Sequence, residues 1–367
     1  MTSVSIAPEV LPPKAERLLG WYDRHHRTLP WRVSPADAAR GTRADPYPVW
    51  LSEVMLQQTT VEAVKKYFLA FTQRWPTVLD MAAAGEDDIL RAWAGLGYYS
   101  RARNLKKCAD LVADQFGGQF PDTEEGLRAL PGIGAYTAAA IAAIAFNRPA
   151  VVIDGNIERV LTRLYRIDTP LPQAKAAIRA ALEPLVPHNR PGDFAQALMD
   201  LGSSICTPRR PSCFLCPLNK DCQALAEDVP ERFPVKKPKA ERPVRHGAAF
   251  VAMRGDGAIL LRKRPDKGLL GGMAEVPGSV WDAASAPKVD AAPLALEWKP
   301  AGTITHVFTH FALMLDVYRA QFDGTAPAGM WWSDPANLPG EALPTVMKKA
   351  VEAAVPDAFK RPAKARS

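Results

Sequence analysis

The period of the apolar residues changes once along the chain, and that switch limits what the chain can fold into. From residue 14 to about 225 the spacing is helical, at a period of about 3.6 residues. It recurs in Trp50–Phe71, Ile89–Trp93, Asn104–Val112, Ala135–Phe146, Ile157–Leu164, Ala174–Leu182 and Phe194–Leu201, with Gly, Pro and Asp between. Glu227–Arg245 then carries Pro230, Pro234, Pro238 and Pro243 among Lys236, Lys237 and Lys239, which reads as a semi-extended basic linker. Beyond it, Gly247–Met253 and Ala258–Arg264 flank the turn signal Gly255-Asp256-Gly257. Further strands are expected at Trp298–Thr305, Phe311–Ala320 and Gly329–Trp332, and a closing helix at Pro344–Ala354. The expected fold is therefore multi-domain: a mainly α domain over 14–226, a Pro-rich linker over 227–245, and an α+β domain over 246–356. Lys360–Ser367 is basic and is expected to fray.

Charge and composition narrow the partners. Lys and Arg number 46 against 39 Asp and Glu, a net charge of +7, which points mildly to an acidic polymer such as nucleic acid. With 47% hydrophobic and 23% charged residues, disorder throughout is excluded. Met1–Lys14 has three prolines and no apolar export core. The longest apolar run, Ile133–Phe146, is too short for a bilayer and reads as a buried helix. A soluble, cytoplasmic monomer with no membrane partner is expected.

Four of the five cysteines cluster: Cys206, Cys213, Cys216 and Cys222, with six, two and five residues between them. In a cytosolic chain this argues for metal rather than disulfides. Four thiolates on one loop suit tetrahedral zinc or an iron–sulfur cluster, and the single C-x-x-C pair favours the cluster. The loop Thr207-Pro208-Arg209-Arg210-Pro211 is either a phosphate clamp or a solvated turn. Cys108, alone on a helical segment, reads as core.

Leu130-Pro131-Gly132-Ile133-Gly134 lies between two helical segments. Gly132 and Gly134 allow a tight turn with N–H groups forward, and the helix beginning near Ala135 adds its positive end, an anion site that grips phosphate without reading sequence. A strand-like Ala150–Ile153 leads to Asp154-Gly155-Asn156, where Asn156 is expected to cap a helix and Asp154 to sit by its positive end. Glu53, between Trp50, Val54, Leu56 and Gln57, is expected to be desolvated and to hold its proton. One protonated and one charged carboxyl suit cleavage of a glycosidic bond through an oxocarbenium-like state, although a capping Asp and a locally bonded Glu would serve as well on these residues alone.

Taken together, Leu29-Pro30-Trp31-Arg32, Trp50–Thr59, Gly95–Arg101, Leu130–Thr137, Val152–Asn156 and the cysteine loop resemble the helix-hairpin-helix DNA glycosylases related to endonuclease III. Within them the chain is similar to the MutY-type adenine DNA glycosylases. The resemblance implies a [4Fe–4S] cluster on the four cysteines. It implies that Glu53 protonates adenine at N7, that Asp154 stabilises the sugar C1′, and that Tyr136 and Asn156 orient them. Gln58 and Tyr98 would enter the base stack while adenine flips. Trp31, Arg32 and Leu56 would line the adenine pocket, with Asp200 in reach of the base. Relatives with lyase activity carry a lysine where this chain has Tyr136, so the implied enzyme is monofunctional. An endonuclease III-like lyase and a non-catalytic DNA binder are the alternatives.

The α+β domain carries Gly268–Gly278, which resembles the loop of the Nudix-like domains joined to these glycosylases, with Ala274 where an aromatic is usual. Ala283, Ala284 and Ala286 stand where a Nudix hydrolase has metal-binding glutamates, so pyrophosphate hydrolysis is not expected. Phe308-Thr309-His310 matches the family's Phe-Ser-His loop, which implies recognition of 8-oxoguanine. The implied substrate is double-stranded DNA with adenine mispaired opposite 8-oxoguanine or guanine.

Overall fold

The computed structural model describes residues 11–236, 241–265, 267–283 and 289–359. Contacts divide the chain into two compact units, one of residues 1–83 and 104–238, the other of 84–103 and 239–367. Lys237, Pro238 and Lys239 of the linker, Ala284 and Ala286, and the basic end Lys360–Ser367 lie outside the described residues.

The first unit is built on the helix Ala135–Phe146, in which Thr137 to Ala143 are all buried. A helix buried nearly all round belongs at the centre of a bundle. Its alanines let the helices Pro46–Leu56 and Pro191–Ser204 approach closely: a Cβ on Gly192 would stand 2.6 Å from the Ala143 carbonyl oxygen. The sequence pattern Trp50–Phe71 is two helices, Pro46–Leu56 and Val61–Arg74. They part at Gln57–Thr60, where Gln58 takes the left-handed φ of 57° and the Thr60 side chain accepts from the Ala63 N–H to start the second helix. A further helix, Pro13–His25, opens the described chain.

Two expectations need correction here. Ala150–Ile153 is extended but pairs with no strand among the described residues. The first half of the expected linker is packed: Phe233 is 1% exposed, and the Leu171 N–H donates to the Val235 carbonyl. Burying Phe233 outweighs the extended bias of the prolines around it.

In the second unit, β1 (Val244–Met253), β2 (Ile259–Lys263), β3 (Ala274–Glu275), β4 (Lys299–Val307), β5 (Ala312–Gln321) and β6 (Met330–Ser333) form one mixed sheet of order β3-β2-β1-β5-β4, with β6 paired to β2. β1 runs parallel to β5 over its whole length and is buried on both faces, hence its unbroken apolar run from Ala248 to Ala252. The helix Thr345–Ala354 covers one face, packing Val346, Met347, Ala350 and Val351 against Val251, Leu313 and Leu315. Ala274 is buried in that core. No helix among the described residues is long and apolar enough to cross a membrane.

Candidate active site

A cavity of about 750 Å³ opens in the helical unit and gathers residues from five chain segments. Trp31 and Arg32 come from the loop after the first helix, and Glu53 and Leu56 from the helix Pro46–Leu56, which Pro46 and the Asp45 side chain start by capping the Tyr47 N–H. Gln58, Gly132, Gly134, Tyr136, Asp154 and Asn156 complete the expected set on this wall.

Glu53 is 6% exposed, and its Oε2 accepts the Tyr136 hydroxyl at 2.7 Å. Burial, above all, raises its carboxyl to about 7. The Tyr136 hydrogen bond pulls it down, the charge of Asp154 pushes it up, and Arg32 pulls it down. The same burial, with Glu53 and Asp154 beside it, lifts the Tyr136 phenol well above its usual range, so the tyrosine is a donor here.

Asp154, rather than Asn156, is the cap of the helix Gly155–Leu164. The helix starts at Gly155, so Asp154 keeps an extended backbone (φ −109°, ψ 179°) and turns its carboxylate over the first turn. Its Oδ1 accepts from the N–H groups of Asn156 (3.0 Å) and Ile157 (2.7 Å), and its Oδ2 from the Asn156 side-chain amide (2.8 Å). Three N–H donors and a helix N-terminus fix the orientation of that carboxylate.

Asp200 is placed behind the cavity instead of on its wall. It is 1% exposed, and its Oδ2 accepts from the Arg32 guanidinium at 2.7 Å and the Arg27 backbone N–H at 3.0 Å. It therefore holds Arg32 in place from within the core. Trp31 stands edge-on to Phe68 at 5.2 Å while lining the cavity.

In the hairpin only Gly132 takes a left-handed φ, +76°, and a Cβ there would meet Asn104 Cβ at 2.6 Å. Gly134 begins the helix Ala135–Phe146, and nothing lies within 4 Å of where its Cβ would be. At Gly134 the backbone is bare, with room for a ligand to approach.

Tyr98, Phe308, Thr309 and His310 are not in this cavity; they line a separate one of about 450 Å³ in the second unit. Phe308 packs on Phe311 and Trp281, and its N–H closes the turn onto the Phe311 carbonyl at 2.8 Å, so Thr309 and His310 stand exposed at the tip. Tyr98, 47% exposed at φ +47°, reaches Thr309 Oγ1 with its hydroxyl at 3.5 Å. Gln58 and Tyr98 are thus both non-glycine residues in left-handed backbone, a conformation that costs about 1–3 kcal/mol and collects at functional sites.

The cysteine loop follows the helix Pro191–Ser204. No disulfide joins the four thiols, and no three metal-binding side chains among the described residues converge on a single ion. Burial pushes the Cys216 thiol up to about 12 and raises Cys213 and Cys222, with the neighbouring thiols adding to the rise. Such a donor set calls for a cation to hold it as thiolate. The fully buried Arg163 donates to Cys206 Sγ at 3.2 Å and to the carbonyls of Thr207, Pro208 and Phe233. Cys108 is a buried core residue.

Three polar residues escaped the sequence reading. Gln196, 5% exposed, lines the catalytic cavity. Arg159 donates to Asn156 Oδ1 (2.8 Å) and to the carbonyls of Cys206 (2.7 Å) and Gly202 (2.7 Å), tying the Asp154 helix to the cysteine loop. Arg163 stands one turn further along. Their only signal was a polar residue in phase with an apolar helix face.

Fold and site together define a helix-hairpin-helix DNA glycosylase. A family model described as HhH-GPD superfamily base excision DNA repair protein matches residues 51–188, and a NUDIX domain model matches 248–353. Adenine DNA glycosylase of Homo sapiens is 35% identical, the match covering 90% of this chain and 72% of the relative. Adenine DNA glycosylase of Buchnera aphidicola subsp. Schizaphis graminum is 30% identical over 92% and 97%. A solved structure of a thermostable thymine-DNA glycosylase superposes with a TM-score of 0.51 at 31% identity, over 58% of this chain and 95% of that one. The chain belongs to the adenine DNA glycosylase family, and it excises adenine in base excision repair.

Proposed function

We propose that this glycosylase acts on double-stranded DNA at adenine paired with 8-oxoguanine, and also with guanine, and releases the base by hydrolysis without cutting the strand. The observation that carries this reading is the pair of carboxyls on one cavity: Glu53, buried and raised to about 7, and Asp154, fixed by three N–H donors. Glu53 gives its proton to adenine N7 as the C1′–N9 bond breaks, and the bonding electrons leave with the base. The Asp154 carboxylate faces the positive charge that grows at C1′. Water then adds to C1′, and its proton returns to Glu53. Tyr136 supplies a hydroxyl to Glu53 and carries no amine to attack C1′, which supports a monofunctional enzyme.

Gly134 offers bare backbone to a phosphate, Gly132 makes the left-handed turn that presents it, and Gln58 and Tyr98 are held in strained conformations suited to entering the base stack while adenine flips. Oxidation at C8 gives guanine a new carbonyl acceptor and an N7–H donor. The exposed Thr309 hydroxyl and His310 ring supply matching groups, which supports the Phe308–His310 turn as the reader of the opposite base.

Cys206, Cys213, Cys216 and Cys222 would hold a [4Fe–4S] cluster, whose iron would supply the charge that keeps buried thiols ionised and the loop in shape. The test is a single-turnover assay on duplexes with adenine opposite 8-oxoguanine or guanine, each sampled with and without hot alkali. Breaks after alkali alone support the reading, and breaks without alkali would point to a lyase. Thr309→Ala should lower the preference for 8-oxoguanine and spare excision opposite guanine.

A further inference from the structure

Beside the catalytic cavity lies a second chamber of about 480 Å³, set among the short helix Pro35–Ala39, the end of the helix Ala135–Phe146 and the start of the helix Pro191–Ser204. Its rim residues Thr42, Arg43 and Asn147 are exposed, so the chamber meets solvent on its own side. Ile144 and Gln196 line both this chamber and the catalytic cavity, so the two share these side chains as a wall.

Gln196 is 5% exposed and lines both the chamber and the catalytic cavity. The amide it brings to the shared wall carries a donor and an acceptor for something that passes or lodges there. The chamber is small-walled and apolar at Val33, Pro35, Ala38 and Ala143, and polar where Arg190, paired with Asp23 and Asp193, joins its lining. A flat nitrogen heterocycle, apolar on its faces and polar on its edge, fits such a lining.

We propose that this chamber is an exit vestibule for the free purine base. Once the glycosidic bond is broken, the abasic sugar still occupies the side of the cavity on which Asp154 and Asn156 stand. A base confined behind it must either wait for the DNA to leave or move on past Ile144 and Gln196. The Gln196 amide exchanges hydrogen bonds with the purine edge as it crosses, and the base leaves over the Thr42–Arg43 rim while the abasic strand stays bound. This inference rests on adenine excision at the cavity described above, but not on which base lies opposite.

The test uses the full-length enzyme in excess over a duplex carrying radiolabelled adenine opposite guanine. One arm is quenched to read excision; the other is passed rapidly over a protein-retaining filter to read label that has left the complex. Wild type should release label while the abasic strand is retained. Ala38→Trp, which fills the chamber, should excise at the wild-type rate and release label at least about tenfold more slowly. Wild-type release kinetics in Ala38→Trp, or wild-type label that leaves only together with the abasic strand, would overturn the proposal.

A second measurement does not depend on the variant folding. 8-Azidoadenine is photolysed on the wild-type enzyme bound to abasic duplex, and the labelled peptides are mapped. Label on Val33–Ala44 supports the vestibule; label confined to the segment Trp50–Gln58 overturns it. Because the quench reads excision separately, loss of the underlying activity and loss of the vestibule are told apart.

Discussion

A carboxyl group buried under the Tyr136 hydroxyl keeps its proton at a pH where a solvated one has lost it, and at Glu53 that has consequences for both catalysis and stability. For catalysis, the acid must be protonated, so subsaturating single-turnover excision should hold steady below about pH 7 and fall as pH rises through that value. Tyr136→Phe removes the hydrogen bond that pulls the Glu53 pKa down, so this alkaline limb should move to higher pH, and a limb that stays in place would detach the titration from Glu53. For stability the dependence on pH has the same direction. The folded value of about 7 stands above the ordinary 4.5, so the contribution of Glu53 is full below 4.5 and is lost as pH climbs through 7. Glu53→Gln should therefore abolish excision, keep DNA binding, and at pH 8 raise unfolding stability by up to about 3 kcal/mol, with little change at pH 4.5. Urea unfolding at the two pH values checks this.

At the scale of elements, the site depends on how closely two helices meet. A Cβ on Gly202, in the helix Pro191–Ser204, would stand 2.6 Å from Asn156 Cβ and 3.1 Å from its backbone, at the very turn that Asp154 caps. Gly202→Ala should thus displace that turn and lower single-turnover excision by about tenfold or more while circular dichroism remains native. Excision at the wild-type rate would show that the turn tolerates the shift. The break between the helices Pro46–Leu56 and Val61–Arg74 carries the opposite trade. Gln58→Gly relieves a left-handed φ, so it should leave the fold as stable or up to about 1 kcal/mol more stable, yet slow base extrusion.

These elements also show what a sequence displays. Ala135–Phe146 was legible to the residue because an unbroken apolar run is bounded by Gly134 and by Asn147, which takes the left-handed C-cap. The break at Gln57–Thr60 was not, because it contains neither Gly nor Pro and the helical phase runs through it. Glu53 and Asp154 stood out through their apolar and turn-forming neighbours. Gln196, Arg159 and Arg163 did not, because their partners lie on other helices and burial is a property of the packed bundle. Asp200 was found, but a carboxylate that faces the core cannot be told from one that faces a cavity until the helix is placed.

For the whole molecule, the excess of cationic side chains should show itself as salt dependence. The logarithm of the DNA association constant should fall linearly with the logarithm of salt concentration, and a flat line would remove phosphate contacts from the account. Gly132→Ala should weaken binding alike to matched and mispaired duplexes, since a backbone anion site carries no sequence information. A different consequence follows from Asp154 being a helix cap. Silencing an enzyme to catch it on its substrate usually means choosing between two carboxylates, and here the choice is not symmetrical. Replacing Asp154 takes away the acceptor that starts the helix Gly155–Leu164, at a cost of about 1 kcal/mol and with the wall of the pocket loosened. Replacing Glu53 instead removes a buried carboxyl whose ionisation above about pH 7 costs stability, so Glu53→Gln is the variant from which crystals of the intact enzyme on uncleaved DNA should be sought.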